Sequence, residues 1–331
     1  MPLPAELSAG HVHGYLLPGP LPSLVDAGIH SPEARSALAA GLDEAGLALA
    51  QVKRLVITHA HIDHVGLASE IQAASGCQVL AHPAALPALT DFDRAWHERL
   101  DLHRRAARAG DYPPEVIDAF SAGFEARRRF GPQRPIPASA LRALPDRARI
   151  RLGSATWSVA WLPGHTPDHL GLVHVASGSA IGGDLLLRGA GTIPFLEGRD
   201  GAGRRPATLA DLIGSWRRLG RMRLAILWPG HGAPIRAHRV LVARRLAEIR
   251  GRLSETQSAL VDGARSLWEI GCAIGPEPPG PERLQARLGE TVALLDWLVE
   301  RGRARRRLVD GRLIYEPEGP PPSARRRRAA S

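Results

Sequence analysis

Residues 58–66 read THAHIDHVG, which places His59, His61, Asp63 and His64 inside six residues. Four such donors this close together serve no apolar packing role and instead invite a cation. His59 and His61 lie two apart, so they point the same way if the chain stays extended. Asp63 and His64 then follow on a turn and can serve a second ion. Three later segments offer donors of the same kind: PGH at 163–165, GGD at 182–184 and PGHG at 229–232, carrying His165, Asp184 and His231. In each, a glycine beside the donor lets the backbone bend closely around an ion. A fold that uses all of these donors must gather four segments, spread from residue 58 to residue 232, at one place.

The intervening sequence supplies elements suited to that task. Residues 11–28, HVHGYLLPGPLPSLVDAG, read as two short strands around a Pro/Gly turn, and Val52–Thr58 reads as a continuous apolar strand buried on both faces. A helix is expected from about Leu67 to Ser75 and a strand over Cys77–Ala81, so the donor loop sits inside an α/β unit. Further strands are expected at 149–162, 170–175, 179–183 and Leu224–Trp228, each ending near a polar residue of interest. Between them, Phe92, Trp96 and Leu100, then Val116, Phe120 and Phe124, recur at helical spacing. They mark a helical insertion over 91–140 that could form a lid or apolar wall.

Beyond residue 237 the pattern changes. RVLVARRLAEIRGRLSETQSALV is an amphipathic helix, two more helical stretches lie near 264–274 and 281–302, and ARRRLV and RLIYEP form a hairpin around Asp310-Gly311. The expected organisation is a main domain over 1–237, a small, mainly helical C-terminal domain over 238–317, and a disordered basic tail over 318–331.

A chain of 331 residues with 44% hydrophobic and 23% charged residues has the composition of an ordinary globular protein with a substantial core. The start, MPLPAELSAG, lacks the basic and apolar regions of a secretory leader, and no apolar run reaches membrane-spanning length. A cytoplasmic protein without a membrane partner is expected. Cys77 and Cys272 are far apart and lack the close pairing of a zinc knuckle or redox motif, so they read as buried apolar thiols. The formal charge is +10, yet Lys53 is the only lysine, so the basicity is almost all arginine, densest over 301–307 and 325–328. That skew weakens, without removing, a reading as a phosphate-binding surface.

The donor order, HxHxDH followed by a later His, a later Asp and a last His, resembles the metallo-β-lactamase superfamily over roughly residues 11–235. The resemblance implies an α+β fold: an αββα sandwich with the site along one edge of two packed sheets. It implies His59, His61 and His165 on a first metal, Asp63, His64 and His231 on a second, and Asp184 bridging. Two divalent cations, zinc first with iron or manganese open, would lower the pKa of a shared water toward neutrality and supply a hydroxide nucleophile. The chain therefore reads as a metal-dependent hydrolase. Asp63 and His169 are its expected catalytic side chains: Asp63 doubles as a ligand, and His169, four residues after His165, would donate a proton or line the pocket. Asp26 and Thr58 are expected to orient ligand histidines.

Within the superfamily, PGHTPDHLG resembles the glyoxalase II-like branch, which implies a small-molecule thioester or ester as substrate. The C-terminal helices and hairpin resemble a winged-helix extension found on some endoribonucleases of the superfamily, so a nuclease with nucleic acid at the basic C-terminal region is an alternative. A second alternative is an iron-dependent persulfide dioxygenase, which holds one iron with fewer ligands. A homodimer is open.

Overall fold

The computed structural model describes every residue except 6–9, 190, 191, 193, 197–207, 262, 264, 276–280 and 319–331; the side chains of 281–283 also fall outside the described set. The expected basic tail lies, from residue 319, outside the described residues. The chain opens with β1 (Pro2–Ala5), β2 (Gly10–His13), β3 (Tyr15–Leu17), β4 (Ser23–Val25) and helix α1 (Pro32–Glu44). There follow β5 (Arg54–Val56), α2 (Ile62–Val65), α3 (Ala68–Ser75), β6 (Gln78–Ala81), α4 (Leu86–Thr90), α5 (Phe92–Ala109), α6 (Pro114–Arg127) and β7 (Leu141–Ala143). Next come β8 (Arg149–Leu152), β9 (Ala155–Trp161), β10 (Leu170–His174), β11 (Ser179–Gly183), α7 (Thr208–Arg221) and β12 (Ile226–Pro229). The C-terminal unit comprises α8 (His238–Ser258), β13 (Arg265–Ser266), α9 (Leu267–Ala273), α10 (Pro281–Glu300), β14 (Ala304–Val309) and β15 (Arg312–Pro317).

Strand alternation builds the layers. One five-stranded sheet has the order β3-β4-β5-β6-β7 and is parallel from β4 onward. The other has the order β12-β11-β10-β9-β8 and is antiparallel except for its β11–β12 pair. In register across the first sheet, Leu24, Leu55 and Val79 alternate with Val25, Val56 and Leu80. The latter three meet Val159, Leu170, Leu172 and Ile181 in a core between the sheets. The former three turn outward onto Leu38 and Leu42 of α1 and Ile71 of α3. With both faces covered, β5 is apolar at Leu55 and Val56 rather than alternating, but it is shorter than the expected 52–58: the strand runs Arg54–Val56, with Lys53 exposed before it and Arg54 half-buried at its start. Ala160, Ala180 and Leu227 on the outer face of the second sheet are covered by Leu212, Trp216 and Leu219 of α7 and Val242 of α8. The result is an α+β fold, the four-layer αββα sandwich that the resemblance implied.

The insertion does not offer its aromatics as a wall over the donor residues. Phe92, Trp96, Phe120 and Phe124 are buried, and they share one core with Leu284, Leu288, Val292 and Leu295 of α10. Their helical spacing therefore serves packing between α5, α6 and the C-terminal unit. In the hairpin, Asp310 and Gly311 both take positive φ, 49° and 79°, as a two-residue type I′ turn requires. Its arginines meet carboxylates of the same chain. Arg305 and Arg307 each reach Glu316 at 2.6 Å, Arg306 reaches Asp296 at 3.4 Å and Arg312 reaches Asp111 at 3.2 Å. Among the described residues, no helix is long and apolar enough to cross a membrane.

Candidate metal centre

The donors gather along one edge of the sandwich: four of them lie just beyond strand ends, while Asp63 and His64 sit on the short helix α2, with His61 at its N-cap. His59 follows β5, His165 follows β9, Asp184 follows β11 and His231 follows β12. Loops at strand ends are where a rigid scaffold can aim side chains at a common point. Three groups of donor atoms form there, each with all its atoms within 4.8 Å of one another: His59, His61 and His165; Asp63, His64 and His231; and His59, His64 and Asp184. In the first, His61 Nδ1 faces His59 Nε2 at 3.0 Å and His165 Nε2 at 3.1 Å. In the second, His231 Nε2 lies 3.2 Å from Asp63 Oδ2. Asp184 touches both sides: Oδ2 is 3.7 Å from His165 Nε2 and 3.4 Å from His231 Nε2, and Oδ1 is 3.6 Å from His64 Nε2. All seven expected ligands are thus brought together, with Asp184 between the two sets.

Buried His64 Nε2 and Asp184 Oδ1 find no hydrogen-bond partner among the described residues. Orphaned donor atoms at the centre of such a cluster cost free energy unless something charged completes them. Imidazole and carboxylate atoms converging in this number fit divalent cations.

Hydrogen bonds behind the donor side chains fix which nitrogen each presents. Asp26, fully buried at the end of β4 and held at φ 62°, accepts from Thr58 N, from Thr58 Oγ1 and from His64 Nδ1, each at 2.8 Å. Because the Thr58 hydroxyl gives its proton to Asp26, its oxygen can only accept from His59 Nδ1, 3.1 Å away. One carboxylate therefore directs Nε2 of His64 toward one donor group and, through Thr58, Nε2 of His59 toward the other. His231 Nδ1 donates to His11 O at 2.8 Å, which frees its Nε2 in the same way.

His169 sits differently from expectation. It is fully buried, and its Nε2 accepts the Asp184 backbone N–H at 3.0 Å. Burial also pushes its pKa down to about 3. A ring sealed from solvent, with its acceptor nitrogen committed, neither lines a pocket nor delivers a proton; it positions Asp184. Neighbouring Asp168 accepts from Ala60 N at 2.8 Å and so steadies the loop between His59 and His61.

Several supports escaped the sequence. His11 serves through its carbonyl, His13 N donates to Gly230 O at 2.7 Å, and Tyr15 Oη donates to Pro229 O, so β2 and β3 hold the last ligand loop. Phe195 sets its ring edge-on to His61 and His165, with centroids 4.7 and 5.2 Å away. No spacing rule marks it; a lone aromatic in a Pro-containing loop carries no signal of its own.

Electrostatics divide the two groups. Burial, and then the neighbouring imidazoles, hold His59 and His61 well below the usual histidine range. Burial alone would lower His64 too, but Asp26, Asp184 and Asp63 outweigh it and raise the ring well above that range. The same contest leaves His231 raised to about 10 by Asp184 and Asp63. Asp184 is held well below the carboxylate range: burial opposes its charge, but His64 and His231 favour it more strongly.

A four-layer sandwich with this donor set on its edge defines a metal-dependent hydrolase. Residues 23–231 match the metallo-β-lactamase superfamily, and the chain belongs to that superfamily. It is 28% identical over 305 residues to a Bacillus subtilis protein named probable metallo-hydrolase YqjP, covering 89% of this chain and 90% of that protein. Over a shorter stretch, 34% of this chain and 43% of the relative, it is 32% identical to a hydroxyacylglutathione hydrolase of Bradyrhizobium. A metallo-β-lactamase family protein of Thermus thermophilus superposes with a TM-score of 0.78 at 25% identity, covering 96% of this chain and 97% of the other.

Proposed function

We propose that this chain hydrolyses a small-molecule thioester or ester, using two divalent cations, zinc first. The observation that carries the reading is Asp184, whose two oxygens face both donor groups and so tie them into one binuclear centre. His59, His61 and His165 would hold one ion, Asp63, His64 and His231 the other, and Asp184 both. When bound, such a pair supplies a nucleophilic oxygen at neutral pH and polarises the scissile carbonyl. The chain's own part is to hold these groups in place. Asp26 orients His59 and His64, His169 orients Asp184, and the burial of the centre excludes bulk water. We assign proton transfer to Asp63, which is 19% exposed where Asp184 is 8% exposed.

Thioesters and esters come first because the PGHTPDHLG segment resembles the glyoxalase II-like branch and because a relative over part of the chain is named hydroxyacylglutathione hydrolase. A nuclease reading receives less support, since the hairpin arginines meet carboxylates of the same chain. The test is metal content by mass spectrometry on protein purified without chelator, beside His59→Ala and Asp184→Ala, followed by a screen of thioesters, esters, lactones and short RNA. About two equivalents of zinc, lost in both variants, with thioester or ester turnover, is expected. About one equivalent of iron would favour the persulfide dioxygenase instead, and cleavage of RNA alone would favour the nuclease.

A further inference from the structure

The segment Pro194–Leu196 joins two parts of the molecule that the sequence keeps apart. Pro194 and Leu196 are buried, and Leu196 belongs to the same core as α10; the Phe195 between them is only half-buried and turns its ring onto His61 and His165. Its backbone is pinned on the ligand side, where Phe195 N donates to His165 O at 3.3 Å. On the other side the segment lies against Gly289 in the middle of α10. A Cβ there would stand 2.8 Å from Pro194 O, 3.0 Å from Leu196 N and 3.3 Å from Phe195 Cα. Glycine is a poor helix residue, so its presence mid-helix calls for a reason, and this close approach of a backbone supplies one. Upstream, Arg245 of α8 caps the carbonyls of Leu187, Arg188 and Gly189 at 2.8–3.2 Å. Two helices of the C-terminal unit therefore hold the chain between Asp184 and Phe195, α8 at residues 187–189 and α10 at residues 194–196.

We infer that Phe195 is the specificity-determining wall of the site: it selects substrates with an extended apolar group, aliphatic or aromatic, on the acyl side of the scissile carbonyl, and Gly289 of α10 positions it. This rests on the proposed ester or thioester chemistry and narrows it to a substrate class. A half-buried aromatic ring in T-shaped contact with two of the donor imidazoles offers apolar contact beside the point where a carbonyl would react. The C-terminal unit then belongs to the active site as the seat of its apolar wall.

The test uses the metal-loaded full-length protein and two probes, acetohydroxamate and hexanohydroxamate, with affinity measured by calorimetry. Wild type should bind the longer probe more tightly by roughly tenfold or more, as a few methylenes in an apolar site allow. Phe195→Ala should bring the ratio close to one, Phe195→Leu should keep part of it, and Gly289→Ala, which pushes on the seat while leaving the ring intact, should reduce it. Metal content is measured for each, so that loss of the centre is not mistaken for loss of the wall. A ratio near one in wild type, or a ratio unchanged in Phe195→Ala, overturns the inference. A p-nitrophenyl acetate and hexanoate series is run in parallel. Absence of turnover with the binding ratio intact would sink the proposed ester chemistry and leave the apolar wall standing, while turnover without chain-length preference would do the reverse.

Discussion

Replacing Asp26 by asparagine should weaken both halves of the metal centre, although Asp26 belongs to neither donor group. Its carboxylate accepts three hydrogen bonds, from Thr58 N, Thr58 Oγ1 and His64 Nδ1. Asparagine keeps the shape, but only one of its two terminal atoms accepts. Its NH2 would face the Thr58 hydroxyl and His64 Nδ1, and both must turn from donors into acceptors. His64 would then carry its proton on Nε2, the atom it turns toward the centre. The Thr58 proton would swing to His59 Nδ1, 3.1 Å away, and push that ring's own proton onto Nε2 as well. One atom change thus reverses a tautomer in each group. Loss of such a supporting partner costs about 10–100-fold in metal affinity, or roughly 1.4–3 kcal/mol per ion. The metal-free fold should lose a further ~1–3 kcal/mol for the mismatched buried donors. Competition against a chromogenic zinc chelator reads the two affinities, and urea unfolding of the chelator-treated protein reads the fold. Thr58→Val serves as the control, because it cuts the path to His59 and leaves Asp26–His64 intact; one affinity should fall and the other hold. If Asp26→Asn leaves both affinities within about twofold of wild type, the tautomer argument is wrong.

Three further outcomes follow from the same geometry. Gly230→Ala would put a Cβ 2.1 Å from Asp184 Oδ1 and 2.9 Å from His64 Cε1, so it should expel metal while the fold survives; full occupancy by mass spectrometry would contradict that. His169→Phe removes the acceptor of the Asp184 N–H and should lower metal affinity without moving the alkaline limb of a pH–rate profile, whereas loss of that limb alone would restore His169 as a proton donor. His103, fully buried on α5 with its pKa pushed down to about 4 by burial, binds its proton less readily in the folded than in the unfolded chain. Its contribution is therefore present above the unfolded pKa of about 6.5 and is lost as pH falls toward 4, an effect of about 3 kcal/mol. In chelator-treated protein, His103→Phe should show a shallower fall in urea stability between neutral and acid pH than wild type; identical slopes would refute it.

Much of this centre is legible in the sequence because its chemistry is local. The run from His59 to His64 and the glycine-flanked His165, Asp184 and His231 carry their meaning in residue type and spacing, as does the Asp310-Gly311 turn. Asp26 and Thr58 could be suspected from their places at strand ends. What could not be read depends on contacts between distant segments. His169 has the same residue type and loop setting as a ligand, and only its depth and its bond to Asp184 N give it a supporting part. Phe92, Trp96, Phe120 and Phe124 have the same spacing whether they cover a pocket or meet α10, and the choice rests on where α10 lies. Helices α1 and α7 lie outside the elements expected from the sequence, although Ser31-Pro32 supplies an N-cap and a first-turn proline for α1. In α7 the buried Leu209, Leu212, Ile213, Trp216 and Leu219 follow helical spacing, and Thr208 with Asp211 has the spacing of a capping box, but a Gly/Arg-rich stretch precedes them and Gly214 interrupts the run.

The charge balance of the centre makes a prediction that tests its two halves separately. Asp26, Asp63 and Asp184 oppose His64 and His231 in a region where burial penalises every charge. In the metal-free chain that balance holds both imidazoles cationic at neutral pH, His64 well above its usual range and His231 at about 10. Protons then sit on the two Nε2 atoms that face Asp184. A protonated nitrogen has no lone pair to give, so loading must expel them, about two per chain from these rings. His59 and His61, driven the other way, are already neutral and release none. Because the two pKa values are raised, apparent zinc affinity should climb with pH throughout the neutral range. Calorimetric loading in two buffers of different ionisation enthalpy counts the protons, and His231→Ala should release about one fewer than wild type. Equal release from the two proteins would mean that His231 is neutral in the metal-free chain and that Asp63 and Asp184 take their balance from elsewhere.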